Sequence, residues 1–151
     1  MRLLGREFEA RSVIPWYDKK GIQAAPGQRI CDEVENALKD TTAIVICLGM
    51  KDLGRCAKFP DDFFAFELSI ALNLADDGRP VIVLVHKKPD ESFEIRPATV
   101  AGMDRLHCGL GTKLVDRLKN FRRYDIYLGV PDDNFGTIMD SICEDLVRVV
   151  R

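Results

Sequence analysis

Two short segments constrain the fold most. Ala43-Ile44-Val45-Ile46-Cys47-Leu48 and Val81-Ile82-Val83-Leu84-Val85 are apolar without alternation and rich in β-branched residues. A strand with one wet face alternates polar and apolar residues. A strand covered on both faces does not, and that is the habit of parallel sheets flanked by helices. Neither segment approaches the ~20 residues needed to cross a bilayer. The pair predicts two buried, adjacent, parallel strands.

The segments between them read as helices. Met1, Leu4 and Phe8 share a face, predicting a helix over residues 2–10. Ile30, Val34, Ala37 and Leu38 mark a second helix. Residues 62–75 form a third, with Asp61 or Asp62 as cap and Gly78 as stop. Leu114, Val115, Leu118 and Phe121 mark a fourth. Phe135, Ile138, Ile142, Leu146 and Val149 mark the last, behind Asp132 or Asp133. Ser12 to Trp16 reads as a short edge strand containing Pro15, and Tyr124 to Leu128 as a weak strand. Tyr17–Gly27, Gly49–Pro60 and His86–Thr99 read as loops. This order predicts a single-domain α/β three-layer sandwich with a mostly parallel sheet. Its ligand site is expected at the carboxyl ends of the strands.

Composition narrows the function. The 151 residues carry 22 Lys plus Arg and 24 Asp plus Glu, a net charge of −2. That balance lacks the basic field of a nucleic-acid binder, so no nucleic-acid partner is expected. Neither a secretory signal nor a membrane span is expected. The five cysteines are odd in number and form no Cys-x-x-Cys pair. Cys31, Cys47 and Cys143 fall in apolar periodic segments and read as small core residues, which fits a reduced, cytoplasmic setting. His86 and His107 lack metal-ligand spacing, and no metal is expected.

Glu67 is the most informative residue. At ~100° per residue, Phe63, Phe64, Ile70, Ala71 and Leu74 point to one side of their helix, and Glu67 falls in the middle of that side. A carboxylate there is desolvated, which raises its pKa, or faces a cavity. A Glu paired with a buried Arg, or bent to the edge of the stripe, gives the same pattern. Gly109-Leu110-Gly111-Thr112-Lys113 lacks Walker spacing and reads as structural. Lys113, Arg117, Lys119, Arg122 and Arg123 read as a solvated helix face, the alternative being a site for an acidic partner surface or a phosphate.

In order along the chain, these segments resemble the Toll/interleukin-receptor (TIR) domain family. Trp16-Tyr17-Asp18-Lys19-Lys20-Gly21-Ile22 and Pro26-Gly27 resemble the family's second strand and BB loop. Phe63-Phe64-Ala65-Phe66-Glu67-Leu68 resembles its Trp-Cys-x-x-Glu-Leu helix, with Phe63 in place of the Trp. Gly78-Arg79-Pro80-Val81-Ile82-Val83 resembles the strand that follows, as in bacterial members. The resemblance covers about residues 1–86. The family's first strand has no counterpart, so an N-terminally incomplete domain spanning 1–151 is expected.

The resemblance implies a flavodoxin-like fold. It also implies a domain that hydrolyses or cyclises NAD⁺ at the nicotinamide–ribose bond, in defence or signalling. Glu67 would be its catalytic residue, and Trp16, Asp18, Lys19 and Phe63 would contact substrate. NAD⁺ would be substrate rather than cofactor, and other TIR domains would be partners through homotypic association. The alternative within the family is a non-catalytic interaction module acting by self-association. Asp52 after one strand and Lys87 after the next also admit a receiver-like domain, but the acidic pair expected after a first strand is missing.

Overall fold

The computed structural model describes residues 2–16, 30–49, 51–53, 63–95, 114–127 and 134–150. Five helices and three strands alternate among them. They are α1 (Arg2–Ala10), α2 (Ile30–Asp40), β1 (Ile44–Gly49), α3 (Phe63–Asp76), β2 (Val81–Lys87), α4 (Leu114–Asn120), β3 (Arg122–Tyr127) and α5 (Phe135–Val150). The strands form one all-parallel sheet in the order β1-β2-β3. Ile44 pairs with Val81 and Gly49 with His86, so the two apolar segments run side by side from end to end. The architecture is an α/β sandwich of flavodoxin-like type with a small sheet.

Alternation along the strands divides the core in two. On one face Ile44, Ile46 and Leu48 of β1 meet Val83 and Val85 of β2, covered by Leu68, Ala71 and Leu72 of α3 and Leu118 of α4. On the other, Ile82, Leu84 and Ile126 meet Phe8 of α1 and Met139, Ile142, Cys143 and Leu146 of α5. Four of the seven residues of β2 are buried, because helices cover both of its faces. That is the physical origin of its unbroken apolar run.

The predicted strand Ser12–Trp16 does not form. Val13 N–H donates to Phe8 O at 3.0 Å and Ser12 N–H to Glu9 O at 3.1 Å, with Ser12 at φ 61°. This double closure ends α1 in a left-handed cap and spends the backbone donors that a strand would offer its neighbour. Residues 13–16 continue without regular structure. The weak strand at Tyr124–Leu128 starts two residues earlier, at Arg122. The proposed caps Asp61, Asp62, Asp132 and Asp133 lie outside the described residues. At the start of α5, Asn134 O accepts from Ile138 N–H at 2.9 Å.

Gly78 stops α3 as its sequence position predicts. Its φ is +89°, with Gly78 N–H on Ala75 O at 3.0 Å and Arg79 N–H on Leu74 O at 2.9 Å. No atom lies within 4 Å of where a Cβ would stand, so a larger side chain meets only the conformational penalty. Gly78→Ala is therefore expected to cost about 1–2 kcal/mol, read as a lower midpoint in urea unfolding with an unchanged slope.

The cysteines divide. Cys143 is buried in the second core, and burial pushes the Cys47 thiol up to about 11, so it stays protonated and inert near neutral pH. Cys31 is exposed, against its reading as a core residue. It sits in the first turn of α2, before Val34, where the helix is not yet covered.

Candidate functional site

All three strands end on the same side, at Gly49, His86–Lys87 and Tyr127. In an open parallel sheet this is where ligands bind, because the loops diverge there and leave a crevice. Helix α3 crosses from β1 to β2, so its first turns stand beside this edge and its last turn at the opposite one. Glu67 is the fifth residue of α3 and lies toward the carboxyl edge.

The rotation of α3 differs from the sequence reading. Leu68, Ser69, Ala71 and Leu72 turn inward, while Phe64, Glu67, Ile70 and Leu74 are half-buried. Glu67 therefore lies on the flank of the buried face, not in its middle. The reason is compositional. Glu67, Ser69, Asn73 and Asp76 are the helix's polar residues, so the apolar surface runs nearly all round and does not fix the rotation. Tertiary contacts decide it. α2 packs against α3, and Arg117 of α4 donates to Leu72 O at 2.6 Å and pairs with Asp76 at 2.8 Å.

Of the other expected site residues, Trp16 and the backbone of Phe63 are described. Arg11, at the close of α1, donates to Asp140 Oδ1 at 2.6 Å and to Gly136 O at 3.3 Å. Those residues open α5, which follows the carboxyl end of β3, so the segment leading to Trp16 starts at this edge. Trp16 is half-buried. Asp18 and Lys19 lie outside the described residues. Phe63 is the first residue of α3, and its side chain also lies outside them.

Two polar clusters mark the edge. In the first, Gly49 N–H donates to Asp52 Oδ2 at 2.6 Å. The imidazole of His86 lies over the same glycine. A Cβ built at Gly49 would sit 2.7 Å from His86 Cε1, 3.2 Å from Nε2 and 3.1 Å from Asp52 Oδ2. A side chain at residue 49 would displace the ring, so glycine is what lets the imidazole lie over this turn.

In the second cluster, Asp125 of β3 takes Arg123 in a two-pronged bond at 2.6 and 3.0 Å and pairs with Lys87 Nζ at 2.9 Å. Arg123 also donates to Phe93 O at 2.9 Å, which fastens the segment after β2 to β3. Burial pushes the Asp125 carboxyl up, but hydrogen bonds from Arg123 and Lys87 outweigh it and hold the group below the usual carboxylate range. A depressed carboxyl stabilises the fold above its unfolded pKa and loses that effect as pH falls through the folded one. Asp125→Asn is thus expected to cost on the order of 1 kcal/mol at neutral pH. The gap between the two proteins should begin to narrow below about pH 4, the ordinary carboxylate range, and close only as pH falls through the lower folded pKa, checked by urea unfolding across pH.

The basic stretch is not one solvated helix face. Arg117 clamps α3, Arg122 pairs with Asp145 at 2.7 Å, and Arg123 holds Asp125. Asp145 is buried and also accepts from the Tyr124 hydroxyl. Burial, then that bond, raises the Tyr124 pKa. Lys87 pairs with Asp125 rather than Asp52, so the receiver-like pairing does not form.

A cavity of about 410 Å³ opens between α4 and β3, lined by Ile95, Leu118, Phe121, Arg123, Glu94 and Lys119. It contains none of the site residues expected from sequence. Among the described residues, no group of three or more His, Cys, Asp or Glu is arranged to hold a metal ion. Among them too, no helix is long and apolar enough to cross a membrane.

Sequence reasoning passed over His86 as a site residue. The available signal was positional: His86 and Gly49 each follow the last apolar residue of their strands, and in-register pairing places them side by side. No family model matches the chain, and no curated protein or solved structure matches it.

Proposed function

We propose that the chain is a TIR-like domain that cleaves the nicotinamide–ribose bond of NAD⁺, with Glu67 as its catalytic carboxylate. One observation carries the reading. The sole carboxylate in the first three turns of a mostly apolar helix stands half-buried toward the carboxyl edge of a parallel sheet. Trp16 and Phe63, with Asp18 and Lys19, are the proposed substrate contacts.

The chemistry needs little else. The bond from ribose C1′ to the pyridinium nitrogen breaks, and its electron pair leaves with nicotinamide, which departs neutral. Positive charge builds on the ribose as in glycoside hydrolysis. A carboxylate at the ribose stabilises that charge and accepts from the ribose hydroxyls. The oxygen of a water molecule bonds to C1′ and its proton passes to solvent. In a cyclising enzyme the adenine ring takes the place of water. We place this activity in the cytoplasm, consistent with the unpaired Cys31, Cys47 and Cys143.

Self-association is the second element of the proposal, with other TIR-like domains as partners. Nicotinamide release per subunit is expected to rise with protein concentration, in step with the assembled fraction seen by sedimentation. A constant specific activity from a monomer would remove the assembly requirement. Assembly without any turnover would favour the non-catalytic interaction module.

A further inference from the structure

We propose that Asp52 and His86, brought together over Gly49, form a subsite for the vicinal hydroxyls of a nucleotide ribose. The inference deepens the NAD⁺ reading and rests on it: a dinucleotide carries two riboses, and Glu67 is assigned to the one bearing nicotinamide.

The subsite is assembled by the sheet itself. Parallel register sets Gly49 beside His86 at the carboxyl ends of β1 and β2. The absent side chain at Gly49 lets the imidazole lie with Cε1 2.7 Å and Nε2 3.2 Å from where a Cβ would be. Asp52 Oδ2 comes within 3.1 Å of the same point and is held there by Gly49 N–H at 2.6 Å. A carboxylate and an imidazole thus converge on one spot, each fixed by backbone rather than by a long side chain.

Among the described residues, no further bond is made by Asp52 Oδ1 or by either ring nitrogen of His86, although both side chains are half-buried. Half-buried polar groups of this kind are suited to a polar ligand. The ligand class follows from the donors and acceptors. An ionised carboxylate accepts only, so it disfavours phosphate and favours hydroxyl groups. An imidazole can donate to one hydroxyl oxygen or accept from another. Two adjacent hydroxyls match this pair, and a carboxylate beside a strand end is how dinucleotide-binding sheets hold ribose.

The test uses the intact chain with adenosine monophosphate and its 2′,3′-dideoxy analogue as probes. The chain has only two histidines, so the His86→Gln spectrum assigns the ring resonances of His86 directly. Adenosine monophosphate should shift those resonances. The dideoxy analogue should bind at least about tenfold more weakly, for loss of two hydroxyl bonds, one of them to a charged group. Asp52→Asn keeps an oxygen for Gly49 N–H and should shrink that difference to a few-fold. Gly49→Ala should displace the ring and abolish the discrimination in a protein that still unfolds cooperatively, which covers the case of Asp52→Asn failing to fold. Equal affinity for the two nucleotides, no detectable binding, or binding that leaves His86 unshifted would overturn the subsite. The two readings fail separately. Discrimination without nicotinamide release from NAD⁺ would sink the cleavage reading alone, and release without discrimination would sink the subsite alone.

Discussion

Glu67→Gln is expected to lower nicotinamide release from NAD⁺ by about 10²–10³-fold, the usual loss when one preorganised electrostatic group is removed from a transition state. Gln matches Glu in size and keeps a carbonyl acceptor. It removes the negative charge proposed to face the cationic ribose. Because the loss arises in the transition state, kcat and kcat/KM should fall together while KM changes little. Stability should change little, since Gln keeps the size and a hydrogen-bonding carbonyl at this half-buried position. Thermal unfolding of both proteins beside the turnover assay separates the two effects. Equal turnover in wild type and variant would take Glu67 out of the reaction.

Leu72→Ala should act in the opposite way, through stability. Leu72 has 0% exposure on the inward face of α3, in the core with β1, β2 and α4. Arg117 fixes the Leu72 carbonyl from outside, which limits how far the helix can close over a lost side chain. The expected cost is about 2–5 kcal/mol, from lost transfer energy plus the cavity left behind. In a domain of this size that lowers Tm by roughly 5–15 °C. Below the transition, activity per folded molecule should be unchanged, because Leu72 faces the core and lies more than one turn beyond Glu67. A loss under about 1 kcal/mol in urea unfolding would contradict the packing described for α3.

Much of the fold was legible because its strongest signal is also its physical centre. Ala43–Leu48 and Val81–Val85 lack alternation because helices cover both faces, and that reading alone required adjacent parallel pairing. Gly78 was legible because a left-handed stop has few other solutions. Ser12–Trp16 was misread because its composition suits an edge strand. The residues that prevent it are Phe8 and Glu9, whose carbonyls capture its first two amides.

The candidate site was legible in part. Glu67 stood out as a carboxylate in an apolar helix, yet its place on the flank depended on Arg117 and α2, which periodicity within α3 does not report. The basic stretch Lys113–Arg123 looked like one face because it spans a helix and a strand, and two of its partners, Asp76 and Asp145, come from other helices. Asp52 and His86 were harder to find. Their meeting depends on strand register and on the missing side chain of Gly49, and no local spacing encodes it.

The most direct test of the proposed function is a time course of NAD⁺ with the wild-type chain at a concentration where it self-associates, following nicotinamide and the adenine-containing product together. The expected result is catalytic, multiple-turnover release of nicotinamide, with one equivalent of ADP-ribose or its cyclic form for each nicotinamide freed. A folded, self-associated sample that releases nicotinamide no faster than buffer would contradict it and leave the chain as an interaction module.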